Sequence, residues 1–380
     1  MKSFLFRIYL NLIKFVLGFT RTDDHLYVIL NGAGRSGSNG YVFYQYLKKH
    51  HPEVETVLVE PWPSSHLPWS TWLQIGRAKY LFTTHQPFKI KRDQVCTCFW
   101  HGIPLKRMGF MAANDSYDND VKNRCVWQHN ADRVISSGDL YETLMSACVG
   151  IAGSRYRALG FPRIDALLHP EISKTQLLQD LFKTKDQAAK IGIYMPTFRY
   201  ELEDPQLMEV IKGGNFFAFQ DFDGEKLNAE LAKLHQYLII KLHPYEMKLI
   251  PQSKQTYSNL CFLGNDYLFD QQIDLYSLLG QTDYLLTDFS SIYFDYLHLN
   301  KPVFFVTNFL RQYEQIRGLL LTPYEEVVPG QTINNQQEML AALAQLDQDQ
   351  EQAKRQYWLD LTYPIAHDGN CERNFTSLHN

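Results

Sequence analysis

The chain lacks the cysteine spacing of a metal or redox module. Its six cysteines, at 96, 98, 125, 148, 261 and 371, include no CxxC and no paired zinc spacing. They read as reduced thiols of a cytoplasmic protein, and Cys96 and Cys98, in the apolar run before Trp100, read as core residues. A strong charge of either sign is also missing. Net charge is −4 and the pI is near 6.4, whereas a general nucleic-acid binder would carry a basic domain. No internal sequence repeat is present. No apolar run is unbroken enough to span a bilayer.

The nearest approach to such a run is Phe4 to Phe19, where Arg7, Asn11, Lys14, Gly18 and Arg21 recur at helical spacing. On a helix these form a polar, basic stripe, with Phe4, Leu5, Ile8, Leu12, Phe15 and Phe19 facing elsewhere. The segment has no continuous apolar centre and no small-residue cleavage site, unlike a secretory signal. Residues 1–22 are therefore expected to form an amphipathic helix on the anionic inner face of the cell membrane. The competing reading is a helix packed onto the protein's own N-terminal domain.

What the chain has in quantity is length and ordinary globular composition. Its 380 residues, 45% hydrophobic and 21% charged, suffice for two domains with separate cores. Strand-like runs occur at 25–30, 56–60, 80–83, 94–100 and 133–136, separated by helical stretches. A second series runs through 190–194, 237–241, 260–263, 284–287 and 303–306. Alternation of this kind predicts doubly wound α/β folding. Two Rossmann-like domains facing a cleft, of glycosyltransferase-B type, are expected over 23–175 and 176–380. The Gln/Asp-rich segment 335–357 is read as a helix.

The most informative motif is Asp288-Phe-Ser-Ser291, between a predicted strand (284–287) and a predicted helix. Free backbone N–H groups and two hydroxyls at a strand-to-helix turn suit a phosphate. An ordinary Ser N-cap explains the same residues. His101 in Trp100-His-Gly-Ile-Pro-Leu-Lys106 and His243 in Lys241-Leu-His-Pro244 both follow predicted strands, where open α/β sheets meet ligands. A neutral imidazole can take a proton from a hydroxyl nucleophile or donate to a phosphate oxygen. Strand alternation would turn Lys241 to the same side as His243. Arg163, in Gly160-Phe-Pro-Arg-Ile-Asp165, suits a phosphate or an ion pair with Asp165 equally well.

In this order, together with Tyr194-Met-Pro-Thr-Phe-Arg199 and Arg317-Gly318, these motifs resemble the CDP-glycerol glycerophosphotransferase family of teichoic-acid and capsule synthesis. The likeness covers about residues 95–372. It implies transfer of a glycerol-phosphate or related polyol-phosphate unit from CDP-glycerol or CDP-ribitol to a hydroxyl of a lipid-linked, oligosaccharide or polymer acceptor. His101 would be the base and His243 a second catalytic group. Arg163, Thr197, Arg199, Lys241, Asp288, Ser290, Ser291 and Arg317 would contact substrate. No tightly bound cofactor, no protein metal site and no nucleic acid are implied, while an Mg2+ accompanying the donor is compatible. The alternatives are a nucleotide-sugar glycosyltransferase of the same fold and a non-catalytic member.

Two motifs imitate other chemistries. Gly32-Ala-Gly-Arg-Ser-Gly37, with Glu60 downstream, imitates a dinucleotide fingerprint, but Ser38, Asn39 and Gly40 lengthen the loop before any apolar helix. The loop could instead line an acceptor site. Asp118-Asn-Asp120 imitates a metal-binding DxD but has no strand before it, and is expected to be a solvated loop.

Overall fold

Burial on both faces explains why inner strands such as 284–287 and 303–306 read as apolar runs and not as alternating ones. The computed structural model describes residues 2–64, 66–186, 188–250 and 257–379, with side chains from Ile8 onward. The chain divides into two compact units, Met1–His101 with Met108–Ala166 and Tyr363–Asn380, and Gly102–Arg107 with Leu167–Thr362. The C-terminal residues thus belong with the first unit, and the short segment after His101 with the second.

The first unit is built on β1 (Asp23–Leu30), β2 (Glu55–Val59), β3 (Ala78–Thr83), β4 (Val95–Cys98), β5 (Arg133–Ser136) and β6 (Tyr156–Ala158). They form one parallel sheet in the order β2-β1-β3-β4-β5-β6. The second unit repeats the plan with β7 (Lys190–Met195), β8 (Gln236–Ile240), β9 (Leu260–Phe262), β10 (Tyr284–Thr287), β11 (Val303–Val306) and β12 (Gln331–Ile333). Its order is β12-β11-β10-β7-β8-β9, again parallel. Gly192 is required in β7, because a Cβ there would meet the buried Tyr284 ring of β10 at 2.1 Å.

Both sheet orders reverse once. The reversal lies between β1 and β3 in the first unit and between β7 and β10 in the second. Beyond the carboxyl ends of those strands, open sheets leave a crevice that binds ligands.

The helices of the first unit include α1 (Lys2–Leu17), α2 (Asn39–His50), α3 (Trp69–Arg77) and α4 (Tyr117–Asn130). Asp118 and Asp120 lie in the first turn of α4, so the expected solvated loop is helical instead. Negative charge at that end is favoured by the helix dipole. Segment 335–357 is likewise not one helix: Gln336–Ala344 and Gln352–Thr362 are separate, with a 3-10 turn at Leu346–Gln348 between them.

α1 is amphipathic in a way the residue spacing did not disclose. Phe4, Leu5 and Arg7 lie outside the described side chains. Of the rest, Ile13 and Leu17 are buried with Trp72 and Ile75 in the first unit's core, and Leu17 seats against Gly76 of α3. Lys14 is folded inward, its ammonium 4.9 Å over the Phe88 ring. Ile8, Leu12, Phe15, Val16 and Phe19 remain exposed. Because Leu17 is fully buried, Leu17→Ala should cost about 2–5 kcal/mol, the range for emptying a packed leucine site. Urea unfolding of the full chain measures this, and a loss under about 1 kcal/mol would mean that α1 is not part of the core.

Candidate active site

In the second unit, the loops beyond β7 and β10 are joined at the sheet's reversal. The Thr197 amide donates to one carboxylate oxygen of Asp288 at 2.7 Å, and the Thr197 hydroxyl donates to the other at 3.0 Å. The Tyr324 hydroxyl donates to the Asp288 carbonyl at 2.6 Å. Asp288 is 3% exposed. Burial pushes its pKa up to about 6, against the opposing pull of the Thr197 amide and the Arg199 charge. Asp288 and Thr197 thus brace the turn that carries the two serines.

Ser290 and Ser291 are half-buried, and among the described residues neither hydroxyl meets a protein partner. Helix Ile292–Tyr296 starts at Ser291, yet the Ser291 side chain does not cap it. Elsewhere in this chain Ser38, Ser173, Asp204, Asp223, Asp274 and Asn335 each accept from the helix they precede. The ordinary capping explanation therefore does not describe Ser291. Two uncommitted hydroxyls at a sheet reversal are available to an oxyanion.

His243 stands beyond β8 and begins helix Pro244–Leu249. Its Nδ1 accepts the Tyr245 N–H at 3.3 Å, which leaves the ring proton of the neutral form on Nε2. Burial lowers its pKa, with Glu246 opposing and Lys241 adding to the effect. The Phe198 ring stacks on it at 3.9 Å. The result is a neutral, oriented N–H donor. Lys241 lies just past the end of β8, and the expected common face with His243 is not formed. Lys241 is buried, with its Nζ donating to Asn265 at 2.8 Å, while His243 is exposed. Burial holds the Lys241 pKa down to about 8.

Two candidate arginines of this unit, Arg199 and Arg317, are engaged by the protein. Arg199 is 2% exposed; its Nη2 donates to Glu246 at 2.8 Å and its amide to the other Glu246 oxygen at 2.7 Å. This pair ties the loop after β7 to the helix after β8. Arg317 and Lys106 share Glu201, at 3.4 and 3.1 Å. Next to Arg317, Gly318 has φ +71° and its carbonyl accepts the Arg107 N–H at 3.0 Å. The Leu105–Arg107 strip is thereby held in the second unit, which gives the Arg317-Gly318 motif a packing role.

In the first unit, His101 follows β4 and Phe99–Trp100. Trp100 adopts a left-handed φ of +54°. The Asn39 side chain donates to the Trp100 carbonyl at 3.0 Å, and the Arg163 Nη1 donates to the His101 carbonyl at 3.0 Å. Asn39 in turn accepts the Arg163 amide at 3.1 Å. The His101 ring is exposed, stacked on Trp100 at 4.1 Å, and 5.0 Å from the ring of His85. Asp165 accepts from the N–H groups of Asn370 and Cys371 at 2.9 and 2.7 Å, anchoring helix Asn370–Thr376. In the Gly-rich loop, Glu60 accepts from Asn31 at 2.7 Å and pairs with Arg35 at 3.5 Å, so the acidic residue of the apparent dinucleotide fingerprint braces its own loop.

Three groups went unnoticed in the sequence. His85 was discoverable, since it follows β3 as His101 follows β4. Asn39 and Glu201 carry no local signal, because their partners are distant in the chain.

Two successive Rossmann-like units, each a parallel sheet with one reversal of strand order, define a fold of glycosyltransferase-B type. The chain belongs to the CDP-Glycerol:Poly(glycerophosphate) glycerophosphotransferase family, whose profile matches residues 15–374, and this is a family of enzymes. It is 25% identical to the teichoic acid glycerol-phosphate transferase of Staphylococcus aureus (strain NCTC 8325 / PS 47), covering 73% of this chain and 69% of that protein. It is 24% identical to the teichoic acid poly(glycerol phosphate) polymerase of Bacillus subtilis (strain 168), covering 81% of this chain but 42% of the polymerase. The wall teichoic acid polymerase TagF shares the fold, with a TM-score of 0.74 at 19% identity, covering 100% of this chain and 94% of that structure.

The raised pKa of Asp288 has a measurable consequence. Between its ordinary value of 3.8 and about 6, the folded protein keeps a proton that the unfolded chain releases. The stability this contributes is complete below about pH 4 and is lost as pH rises through 6, by up to about 3 kcal/mol. Asp288→Asn should lack this decline. Unfolding free energies of the two proteins from pH 4 to 7 check it, and parallel curves would rule out the raised value.

Proposed function

We propose that the protein transfers a glycerol-phosphate or related polyol-phosphate unit from a CDP-polyol to an acceptor hydroxyl, in synthesis of a teichoic-acid-like or capsular polymer. The observation that carries the reading is the pair of uncommitted hydroxyls at Ser290 and Ser291, on a turn braced by Asp288, with the Nε2–H of His243 beyond the end of β8. The acceptor oxygen attacks the β-phosphorus of the donor and the bond from that phosphorus to the bridging oxygen breaks. CMP leaves, and the acceptor proton passes to His101. The serine hydroxyls and His243 stabilise charge on the phosphoryl oxygens. An Mg2+ accompanying the donor would rest on its diphosphate. Among the described residues, no group of three or more His, Cys, Asp or Glu side chains forms a ready site.

Incubation of the full chain with CDP-glycerol, CDP-ribitol and nucleotide-sugars, following CMP release, tests the reaction. His101→Ala should lower turnover by a factor of about 100 or more with donor binding kept. Ser290→Ala with Ser291→Ala should weaken binding of the CDP-polyol but not of free cytidine. Release of a nucleoside diphosphate from a nucleotide-sugar, with no CMP from any CDP-polyol, would replace this reading with glycosyl transfer.

The exposed stripe of α1 supports a position on the inner face of the cell membrane, where a lipid-linked acceptor would be met. Ile8, Leu12, Phe15 and Phe19 would enter the interface. No helix among the described residues is long and apolar enough to cross a membrane. Leu12→Gln with Phe15→Gln should reduce co-sedimentation with anionic vesicles while leaving unfolding unchanged. Undiminished sedimentation would count against the membrane role.

A further inference from the structure

The first unit holds a cavity of about 690 Å3 that the proposed donor site does not use. It lies at this unit's own sheet reversal. Gly32, Trp62 and His85, which line it, follow β1, β2 and β3 in turn, so it occupies the crevice where an open parallel sheet takes a ligand. Trp62 and His85 close tightly on Gly32, where a Cβ would meet the Trp62 carbonyl at 2.7 Å and the His85 ring at 3.0 Å.

The lining has a definite chemistry. Trp62 and Phe88 meet edge to face at 4.9 Å and give apolar surface of the kind that packs against sugar and polyol carbons. α1 closes the other side and contributes Lys14, whose ammonium stands over Phe88. Lys14 has no carboxylate partner among the described residues. Desolvation alone lowers its pKa. A half-buried ammonium without a counter-charge, in an aromatic pocket, selects an anion. His85 also lines the cavity, and its ring is 5.0 Å from that of His101.

We infer that this cavity is the acceptor site: it takes a phosphate-bearing polyol or saccharide, with the phosphate against Lys14, the carbon skeleton against Trp62 and Phe88, and a hydroxyl directed past His85 to His101. The inference rests on the phosphotransfer reading for the identity of its ligand. The same chemistry is offered by a free polyol phosphate and by the head of a lipid-linked acceptor.

Calorimetric titration of the full chain, without donor, uses sn-glycerol 3-phosphate and its decyl diester as probes. Wild-type protein should bind, Lys14→Gln should weaken binding about tenfold, and Lys14→Arg should restore it. Tighter binding of the decyl diester assigns the site to the lipid-linked source, and equal binding assigns it to the head group alone. Absence of binding, or binding indifferent to Lys14→Gln, overturns the inference. In turnover, Lys14→Gln should raise the KM for the acceptor and leave that for CDP-glycerol unchanged. An unchanged acceptor KM with normal CMP release sinks the acceptor pocket alone. Probe binding that depends on Lys14, with no CMP released from any CDP-polyol, sinks the phosphotransfer reading and leaves the pocket standing.

Discussion

Parallel sheets covered on both faces confine where chemistry can occur in this protein. A strand such as β1 or β10, buried along most or all of its length, has no place for a side chain that must meet water or a ligand. Polar function is displaced to the carboxyl ends, and the single reversal of each strand order opens a crevice there. In the second unit that crevice is bordered by loops that side chains tie together. Asp288 and Thr197 join the two loops, and Arg199 with Glu246 joins the next pair. The Arg199–Glu246 pair is almost fully buried, and for such pairs desolvation offsets much of the Coulombic attraction. Its main consequence is geometric: the loop after β7 and the start of helix Pro244–Leu249 are fixed to each other, and with them Phe198 and His243.

The first unit fixes His101 by a different device. The left-handed Trp100 costs about 1–2 kcal/mol relative to an ordinary backbone, and such a conformation persists only where its surroundings enforce it. Here the enforcement is two side chains, Asn39 on the Trp100 carbonyl and Arg163 on the His101 carbonyl, themselves linked through the Arg163 amide. The imidazole is left outward, stacked on the indole. Arg163 therefore acts on the proposed base through its backbone.

Much of the fold was legible because buried parallel strands are apolar without interruption, and ten of them read correctly to within a few residues. β6 (Tyr156–Ala158) and β12 (Gln331–Ile333) were not legible. They are three-residue edge strands with exposed positions, and nothing in so short a segment separates strand from loop. For the candidate site, strand-end position singled out His101 and His243 and would have singled out His85. The serines were legible as a strand-to-helix turn, but not that their hydroxyls are uncommitted, which depends on contacts. The arginines were ambiguous for a physical reason. A guanidinium beside a Gly/Pro turn has the same sequence signature whether its five donors meet a phosphate, a carboxylate or a carbonyl. Only Glu246, 47 residues beyond Arg199, decides that case.

The N-terminal helix shows the same limit from the other direction. Helical spacing groups its residues by angle, but it did not reveal which arc the protein covers. The apolar positions divide into two sets, Ile13 and Leu17 inward and Ile8, Leu12, Phe15 and Phe19 outward, with Lys14 turned to Phe88. A helix with apolar residues on two arcs can be anchored in a core and still present an apolar face. That arrangement ties together two properties that would otherwise be separate. The helix that closes the cavity beside His85 also carries the exposed stripe, so an interface engaging Leu12 and Phe15 would hold Lys14 and the cavity wall at a fixed depth. On the proposed reading, an acceptor carried on a lipid would meet the cavity through the same element that would rest on the membrane.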